Sequence, residues 1–153
     1  KQDGTWENYY ESGQLEFKKS FKDGLKIGHW EFYYADGQLK AKESYVDGKQ
    51  DGTWEKYYEN GQLEKKGFYK DGIEQRRETY DEDGLLSNER FFKDGMTTLI
   101  TKLSFHKLND SMLKMTFKDG KKDGITEMYT DGQLSEKTCY KNDKETDMSY
   151  CEK

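Results

Sequence analysis

Histidines and a run of carboxylates are the side chains of this sequence most suited to catalysis. His29 precedes a tryptophan at a position that threonine holds at Thr5 and Thr53, and His106 falls on the polar side of an alternating pattern. We expect both histidines to be exposed strand residues. Catalysis by a nucleophile needs a base and an orienting group within reach, and no such trio stands out here. The sequence predicts no catalytic residues and therefore no enzyme.

The acidic run Asp81-Glu82-Asp83-Gly84 is the best candidate for a metal site. It has only part of an EF-hand pattern, because the spaced oxygen ligands and the final glutamate of that loop are missing. Such a run is more typical of a hairpin turn. No glycine-rich phosphate loop opens a helix, so we predict neither a metal nor a cofactor.

Cys139 and Cys151 are the two cysteines, and they lie 12 residues apart. Their spacing is not a zinc signature. The repeat register places Cys139 nearer to Ser149 than to Cys151, which favours two free thiols. A disulfide stays open as the alternative, since one turn separates the two segments.

The composition describes a protein with a thin core. Hydrophobic residues make up 31% of the chain and charged residues 37%, with a net charge of −5. Lysine and glutamate are interleaved throughout, which is typical of a solvated face and argues against a nucleic-acid partner. There is no apolar run of about 18 residues that could span a membrane.

Aromatic residues recur with a fixed period of 24, and this period indicates a repeat architecture. The motif is G-x-W-x-x-Y-Y-x-x-G-Q-L, followed by an aromatic residue and Asp-Gly. It places nine aromatic side chains in three columns: Trp6, Trp30 and Trp54; Tyr9, Tyr33 and Tyr57; Tyr10, Tyr34 and Tyr58. Asp-Gly and Asn-Gly favour tight turns, and the runs of about seven residues between them have strand chemistry. Each repeat is therefore predicted to be one β-hairpin.

The predicted fold is all-β: an elongated, single antiparallel β-meander, or solenoid-like ribbon, of stacked hairpins. We divide the chain (1–153) into one array of repeats. Its segments are regular repeats at 4–27, 28–51 and 52–75, a degenerate repeat at 76–97, an irregular hairpin at 98–123 with a turn near Asn109, a repeat at 124–146, and the first strand of a truncated repeat at 147–153. Because Lys49-Gln50-Asp51-Gly52 repeats the first four residues, we expect the chain to begin within a repeat.

This motif resembles the bacterial variant of MORN repeats, which are also known as YwqK-type antitoxin repeats. The first three repeats match it closely, and the fourth and sixth match it in part. The resemblance implies a non-catalytic, MORN-like array of hairpins, often in exported or envelope proteins of bacteria. Related eukaryotic arrays are associated with scaffolding and with phospholipid contact.

These observations predict an interaction scaffold that is exported or held at the cell envelope. Its partner would be a protein or a surface glycan, bound by an exposed column of the aromatic ladder. In the alternative interpretation the rings simply pack between hairpins. An antitoxin-like protein that neutralises a toxin in the cytoplasm is the second functional hypothesis. Open strand edges also predict end-to-end self-association.

Overall fold

The computed structural model describes residues 1–104 and 110–152. The predictions made for His106 and for the turn at Asn109 lie outside these residues. The strands, numbered in chain order, are β1 Gly4–Tyr9, β2 Leu15–Lys22, β3 Leu25–Tyr33, β4 Leu39–Val46, β5 Lys49–Gln50, β6 Gly52–Tyr57, β7 Leu63–Lys70, β8 Ile73–Tyr80, β9 Leu86–Lys93, β10 Met96–Ser104, β11 Asp110–Lys118, β12 Lys121–Lys122, β13 Gly124–Thr130, β14 Gln133–Lys141 and β15 Lys144–Thr146.

The chain forms two compact units, and the first is Lys1–Leu85. Its strands follow the order β1-β2-β3-β4-β6-β7-β8, with β5 paired to β4, and the pairs are antiparallel. Consecutive strands are therefore neighbours, as the hairpin prediction requires. This confirms an antiparallel β-meander in the region of the three regular repeats.

The second unit is Leu86–Lys153. Within it the order is β9-β10-β11-β13-β14-β15, and β12 pairs with β11. The irregular segment 98–123 still forms a hairpin, in which β10 and β11 are paired from Met96 and Lys118 to Ser104 and Asp110. The all-β prediction is thus confirmed here too, although the Trp and Tyr landmarks are lost.

Two kinds of turn alternate along the first unit. Between hairpins, Asp23 and Gly24 both adopt positive φ, 53° and 82°, as a two-residue turn compatible with strand twist requires. Each such turn also contacts the beginning of the hairpin that precedes it: the Gly24 amide donates to the Gln2 carbonyl at 2.8 Å, and Gly48 and Gly72 form the equivalent bonds in the next repeats. Inside each hairpin the turn is longer, closed by a bond from the Tyr10 amide to the Gln14 carbonyl in the first repeat.

The core is thin, as the composition predicts. Among the described residues, Trp30 and Cys139 are the hydrophobic side chains that are buried. The Trp30 ring packs between Phe21 and Tyr45, with both centroid distances at 5.0 Å. Its indole N–H donates to the Ser20 carbonyl at 3.1 Å, so the polar atom of the ring is satisfied.

The C-terminal segment differs from the prediction of a seventh repeat. After the short strand β15, a 3₁₀ helix occupies Met148–Tyr150, where a strand was expected. Asp147 caps it by accepting a hydrogen bond from the Ser149 amide at 2.9 Å. The strand prediction is wrong here because this local cap and a disulfide, described below, fold the chain back towards β14 instead of letting it continue as a strand.

Candidate functional site

The second tyrosine of each regular repeat fastens one hairpin to the next. The hydroxyls of Tyr10, Tyr34 and Tyr58 donate to the carbonyl oxygens of Tyr33, Tyr57 and Tyr80, at 2.7, 2.7 and 2.9 Å. Each bond spans a whole repeat, so this column stabilises the stacking. In the fourth repeat Asp81 replaces the tyrosine, and the series stops within the first unit. These three hydroxyls therefore have a structural role.

We expect Tyr34→Phe to lower the free energy of unfolding by about 1 kcal/mol, because the Tyr57 carbonyl loses its hydrogen-bond donor. Urea unfolding followed by far-ultraviolet circular dichroism measures the loss. Tyr9→Phe is the matched control, since Tyr9 is 54% exposed and donates to an exposed carboxylate. Equal losses in the two variants would contradict the role of Tyr34.

The first tyrosine of each repeat belongs to a row of charges on the opposite face. The row alternates in sign across seven strands, each member opposite the next: Glu7, Lys18, Glu31, Lys42, Glu55, Lys66 and Glu78. Ion pairs join Glu7 to Lys18 at 3.2 Å and Glu55 to Lys66 at 3.1 Å. Opposite charges directly across a strand pair stabilise a sheet. The sequence predicted an ordinary solvated face. The structure shows there a continuous row of alternating charges across the strands.

Tyrosine hydroxyls extend this charge row. Tyr9, Tyr33 and Tyr57 donate to Glu7, Glu31 and Glu55, each two residues earlier, at 2.7, 3.0 and 2.9 Å. The second unit repeats the arrangement at Glu127, which receives bonds from Lys114 and Tyr129. In the three regular repeats, the spacing Glu-x-Tyr with a lysine eleven residues after the glutamate is the sequence signal that could have revealed the row.

The Glu55–Tyr57 pair shows how the row affects titration. Burial alone would raise the pKa of Glu55, but hydrogen bonds from Lys66 and Tyr57 outweigh it and hold that pKa below its usual value. Burial, together with the bond to Glu55, raises the pKa of Tyr57 to about 12. The folded protein therefore retains the phenolic proton more tightly than the unfolded chain does.

Stability should consequently fall as the pH rises. The contribution of Tyr57 is fully present below the unfolded pKa of about 10 and is lost as the pH rises towards about 12. In Tyr57→Phe we expect a smaller fall over that window, as measured by urea midpoints at several pH values. Some fall remains, because burial and a bond to Glu43 also raise the pKa of Tyr45. An identical fall in both proteins would contradict this assignment.

The tryptophan column has three different environments. Trp6 is 49% exposed on the edge strand β1, whereas Trp30 is 6% exposed. Trp54 is half-buried beside Gly67, where an added Cβ would lie 3.5 Å from the indole and 2.8 Å from the Tyr69 ring. A larger residue at position 67 would displace one of these rings. Identical residues at one repeat position thus have unequal roles.

A groove of about 460 Å³ opens on the tryptophan face of the first unit. Ala41 lies beside Phe32 and Lys56 in the cross-strand register, and Phe17 lies beyond Phe32. The side chains that line the groove include Tyr10, Phe17, Phe32, Ala41, Trp54, Lys19, Lys40, Lys56, Glu16 and Glu43. The residues 24 positions before and after Ala41 are Phe17 and Lys65, so the second repeat alone places a methyl group at this site. The small side chain accounts for the opening, which we call the Ala41 groove.

Two lysines at the Ala41 groove are held over aromatic rings. The Lys19 amine lies 3.8 Å from the Phe17 ring centroid and 4.9 Å from that of Phe32. The Lys40 amine lies 5.4 Å from the Tyr34 centroid. Within residues 1–104 and 110–152, neither amine is within ion-pair distance of a carboxylate. The groove therefore carries two ammonium groups that form no ion pair with the described residues, alongside the carboxylates of Glu16 and Glu43.

The other candidate residues have the structural roles that the sequence favoured. His29 is an exposed residue of β3, and its Nδ1 lies 3.1 Å from the Ser44 hydroxyl. Asp81 closes a turn, accepting bonds from the amides of Asp83 and Leu85. In the described part of the chain, no three metal-binding side chains cluster. Nor does any helix there have the length and apolarity to cross a membrane.

Cys139 and Cys151 form a disulfide, with Cα atoms 6.1 Å apart. The register prediction placed Cys139 nearer Ser149 and favoured free thiols, and it is wrong for a specific reason. Cys139 pairs with Thr146 at the end of β15, and the 3₁₀ helix then returns the chain towards β14. That reversal brings Cys151, rather than Ser149, to the buried Cys139.

The first unit is thus a series of hairpin repeats joined by hydrogen bonds, with a groove at Ala41. Three consecutive stretches, residues 2–23, 26–47 and 50–71, match the family model of the MORN repeat variant. These stretches overlap the three regular repeats, so the resemblance to variant MORN repeats is confirmed for them, and the bacterial, YwqK-type assignment stays a prediction. The partial resemblance of the fourth and sixth repeats stays a prediction.

Comparisons with curated proteins and with solved structures show less similarity than the family model does. No curated protein matches this sequence. Among solved structures, the chain is similar to one described as the crystal structure of accessory secretory protein 1, 2 and 3 in Streptococcus pneumoniae, with 15% identity and a TM-score of 0.39. The match covers 66% of this chain and 19% of that chain. A likeness at this level carries no argument about function.

Proposed function

We propose that this protein is a non-enzymatic repeat scaffold that binds a protein partner through the Ala41 groove face of its first unit. The observation that carries the proposal is the groove itself, an opening of about 460 Å³ between aromatic walls with two unneutralised lysines. Pockets of this size, with apolar walls and a few polar groups, are typical binding sites. The sheet around it is fixed by the tyrosine bonds between hairpins, so the site is preorganised.

The cation–π contacts favour a protein over a surface glycan as the partner. Sugars commonly stack on open aromatic rings, whereas here the Lys19 amine lies over Phe17 and Phe32. At this part of the groove the group presented to a partner is therefore an ammonium ion above two aromatic rings. Such a surface suits a partner with carboxylates and apolar side chains.

We further propose that the protein works outside the cytoplasm. The support is the disulfide between Cys139 and Cys151, since such bonds persist in oxidising compartments and are rare where thiols are kept reduced. The same bond counts against the cytoplasmic antitoxin-like alternative. Cell fractionation combined with thiol alkylation before lysis tests this directly. Cytoplasmic protein with both thiols alkylated would overturn the proposal.

Site-specific photo-cross-linking tests whether the groove face binds a protein. A cross-linking amino acid at position 40, on the groove, is compared with one at position 42, on the charge row of the opposite face. We expect a discrete adduct in the native cells from position 40 and none from position 42. Equal adducts from both positions, or none from either, would contradict binding through this face.

A further inference from the structure

We propose that the Ala41 groove takes an extended acidic segment of the partner protein, with an apolar side chain above Ala41 and carboxylates against Lys19 and Lys40. The inference rests on the proposed function and specifies the chemistry of its partner. Three properties of the groove carry it: its shape, its charge and its direction across the strands.

Shape sets the apolar part of the ligand. Phe17 and Lys65 occupy the positions equivalent to Ala41 in the neighbouring repeats, and either side chain would fill the space that the alanine methyl leaves. Phe32 and Trp54 contribute apolar walls. A volume of about 460 Å³ accommodates one or two side chains, not a folded element. Because Ala41 leaves the space that one phenylalanine occupies in the first repeat, the segment presents a single apolar anchor there.

Charge sets the polar part. Lys19 and Lys40 lack carboxylate partners in the described residues, whereas the lysines of the opposite face are paired, as Lys66 is with Glu55 at 3.1 Å. An incoming carboxylate therefore finds unneutralised ammonium groups on the groove face. Glu16 and Glu43 also line the groove, and they would repel the continuous negative charge of a nucleic acid. The carboxylates of the segment must therefore lie directly against Lys19 and Lys40, so we expect few of them, separated by the apolar residue.

The direction of the groove determines the conformation of the bound segment. The lining residues come from β2, β3, β4 and β6, which are consecutive neighbours in the sheet, so the groove runs across the strands. Three strand spacings of about 4.8 Å give a path of about 14 Å, which matches about four extended residues. A segment lying there contacts side chains and leaves the strand edges free. This mode of binding differs from one in which the bound segment adds a strand to the edge of the sheet.

The test uses the full chain and a phage library of random peptides of about seven residues, longer than the path across the groove. We expect enrichment of peptides in which acidic residues flank one apolar residue. An enriched peptide, labelled with fluorescein, then gives dissociation constants by anisotropy. Enrichment of neutral or basic peptides, or no enrichment, would overturn the inference.

Variants locate the bound peptide. Ala41→Phe introduces the residue that the first repeat has at the equivalent position, so the new side chain fills the groove and is one that this sheet already accommodates. We expect binding to weaken on the order of tenfold or more. Lys19→Gln combined with Lys40→Gln should weaken binding to a similar extent and reduce its salt dependence. Lys18→Gln with Lys42→Gln is the control on the opposite face and should leave affinity unchanged. Equal binding by the Ala41→Phe variant would overturn the site.

Two outcomes separate this inference from the proposed function. If position 40 cross-links a protein while acidic peptides do not bind, the scaffold stands and the partner chemistry is wrong. If neither occurs, both fail. Vesicles containing phosphatidylserine are tested alongside, and binding of vesicles that is lost in Ala41→Phe, without peptide binding, would replace the acidic segment with a membrane surface.

Discussion

Replacing Trp30 with alanine should lower the free energy of unfolding of the first unit by about 3–5 kcal/mol. Trp30 is 6% exposed and packs against Phe21 and Tyr45 at 5.0 Å from each, so its loss leaves a cavity at the centre of the aromatic packing. The Ser20 carbonyl also loses the indole N–H that bonds to it. No other tryptophan is so enclosed, and a thin core has little else to compensate.

Trp6→Ala is the matched control for this experiment. It makes the same chemical change at the same repeat position, but Trp6 is 49% exposed, so we expect a loss below about 2 kcal/mol. Urea unfolding followed by circular dichroism gives the total effect, and hydrogen exchange of residues 25–46 localises it. If both variants lost the same free energy of unfolding, the contribution of a tryptophan would depend on its repeat position and not on its burial.

Removal of the disulfide should have the second large effect. Cys139 and Cys151 are separated by 12 residues, and a loop of this size gives about 3 kcal/mol in the chain-entropy model. The bond holds the 3₁₀ helix at Met148–Tyr150 against β14, where the Lys141 amine also lies 4.7 Å from the Tyr150 ring centroid. We therefore expect Cys139→Ser with Cys151→Ser to destabilise the C-terminal end of the second unit.

Hydrogen exchange with and without reductant measures this loss segment by segment. Amides in residues 133–152 should exchange faster after reduction or in the double variant. Amides in residues 25–57 serve as the internal control and should not change, because they belong to the first unit. Unchanged exchange in 133–152 would show that packing, and not the disulfide, holds the C-terminal segment.

The strands and turns were predictable because their causes are local. The glycine of each Asp-Gly dipeptide adopts positive φ, and at Asp23-Gly24 both residues do. The apolar runs between the turns have strand length and strand residues. The prediction held even at 98–123, where the aromatic landmarks are missing. It failed at Met148–Tyr150, where a capping side chain and a disulfide outweigh the repeat pattern.

The candidate site could be predicted only in part. The sequence identifies the aromatic columns but does not separate Trp30, which is buried, from Trp6, which is exposed at the edge. It shows alternating lysine and glutamate but not that Glu31 faces Lys42 across a strand pair. Both facts depend on which strands are neighbours and in what register.

The sequence by itself determined that this protein is an array of β-hairpins with a period of 24 residues, because turn chemistry and side-chain alternation act over a few residues. The tertiary structure decided which tyrosines fasten hairpins, which lysines remain unneutralised, how the cysteines pair and why Ala41 opens a groove. These properties depend on residues many positions apart. The physical reason is that burial and ion pairing depend on register across strands, which no local preference fixes.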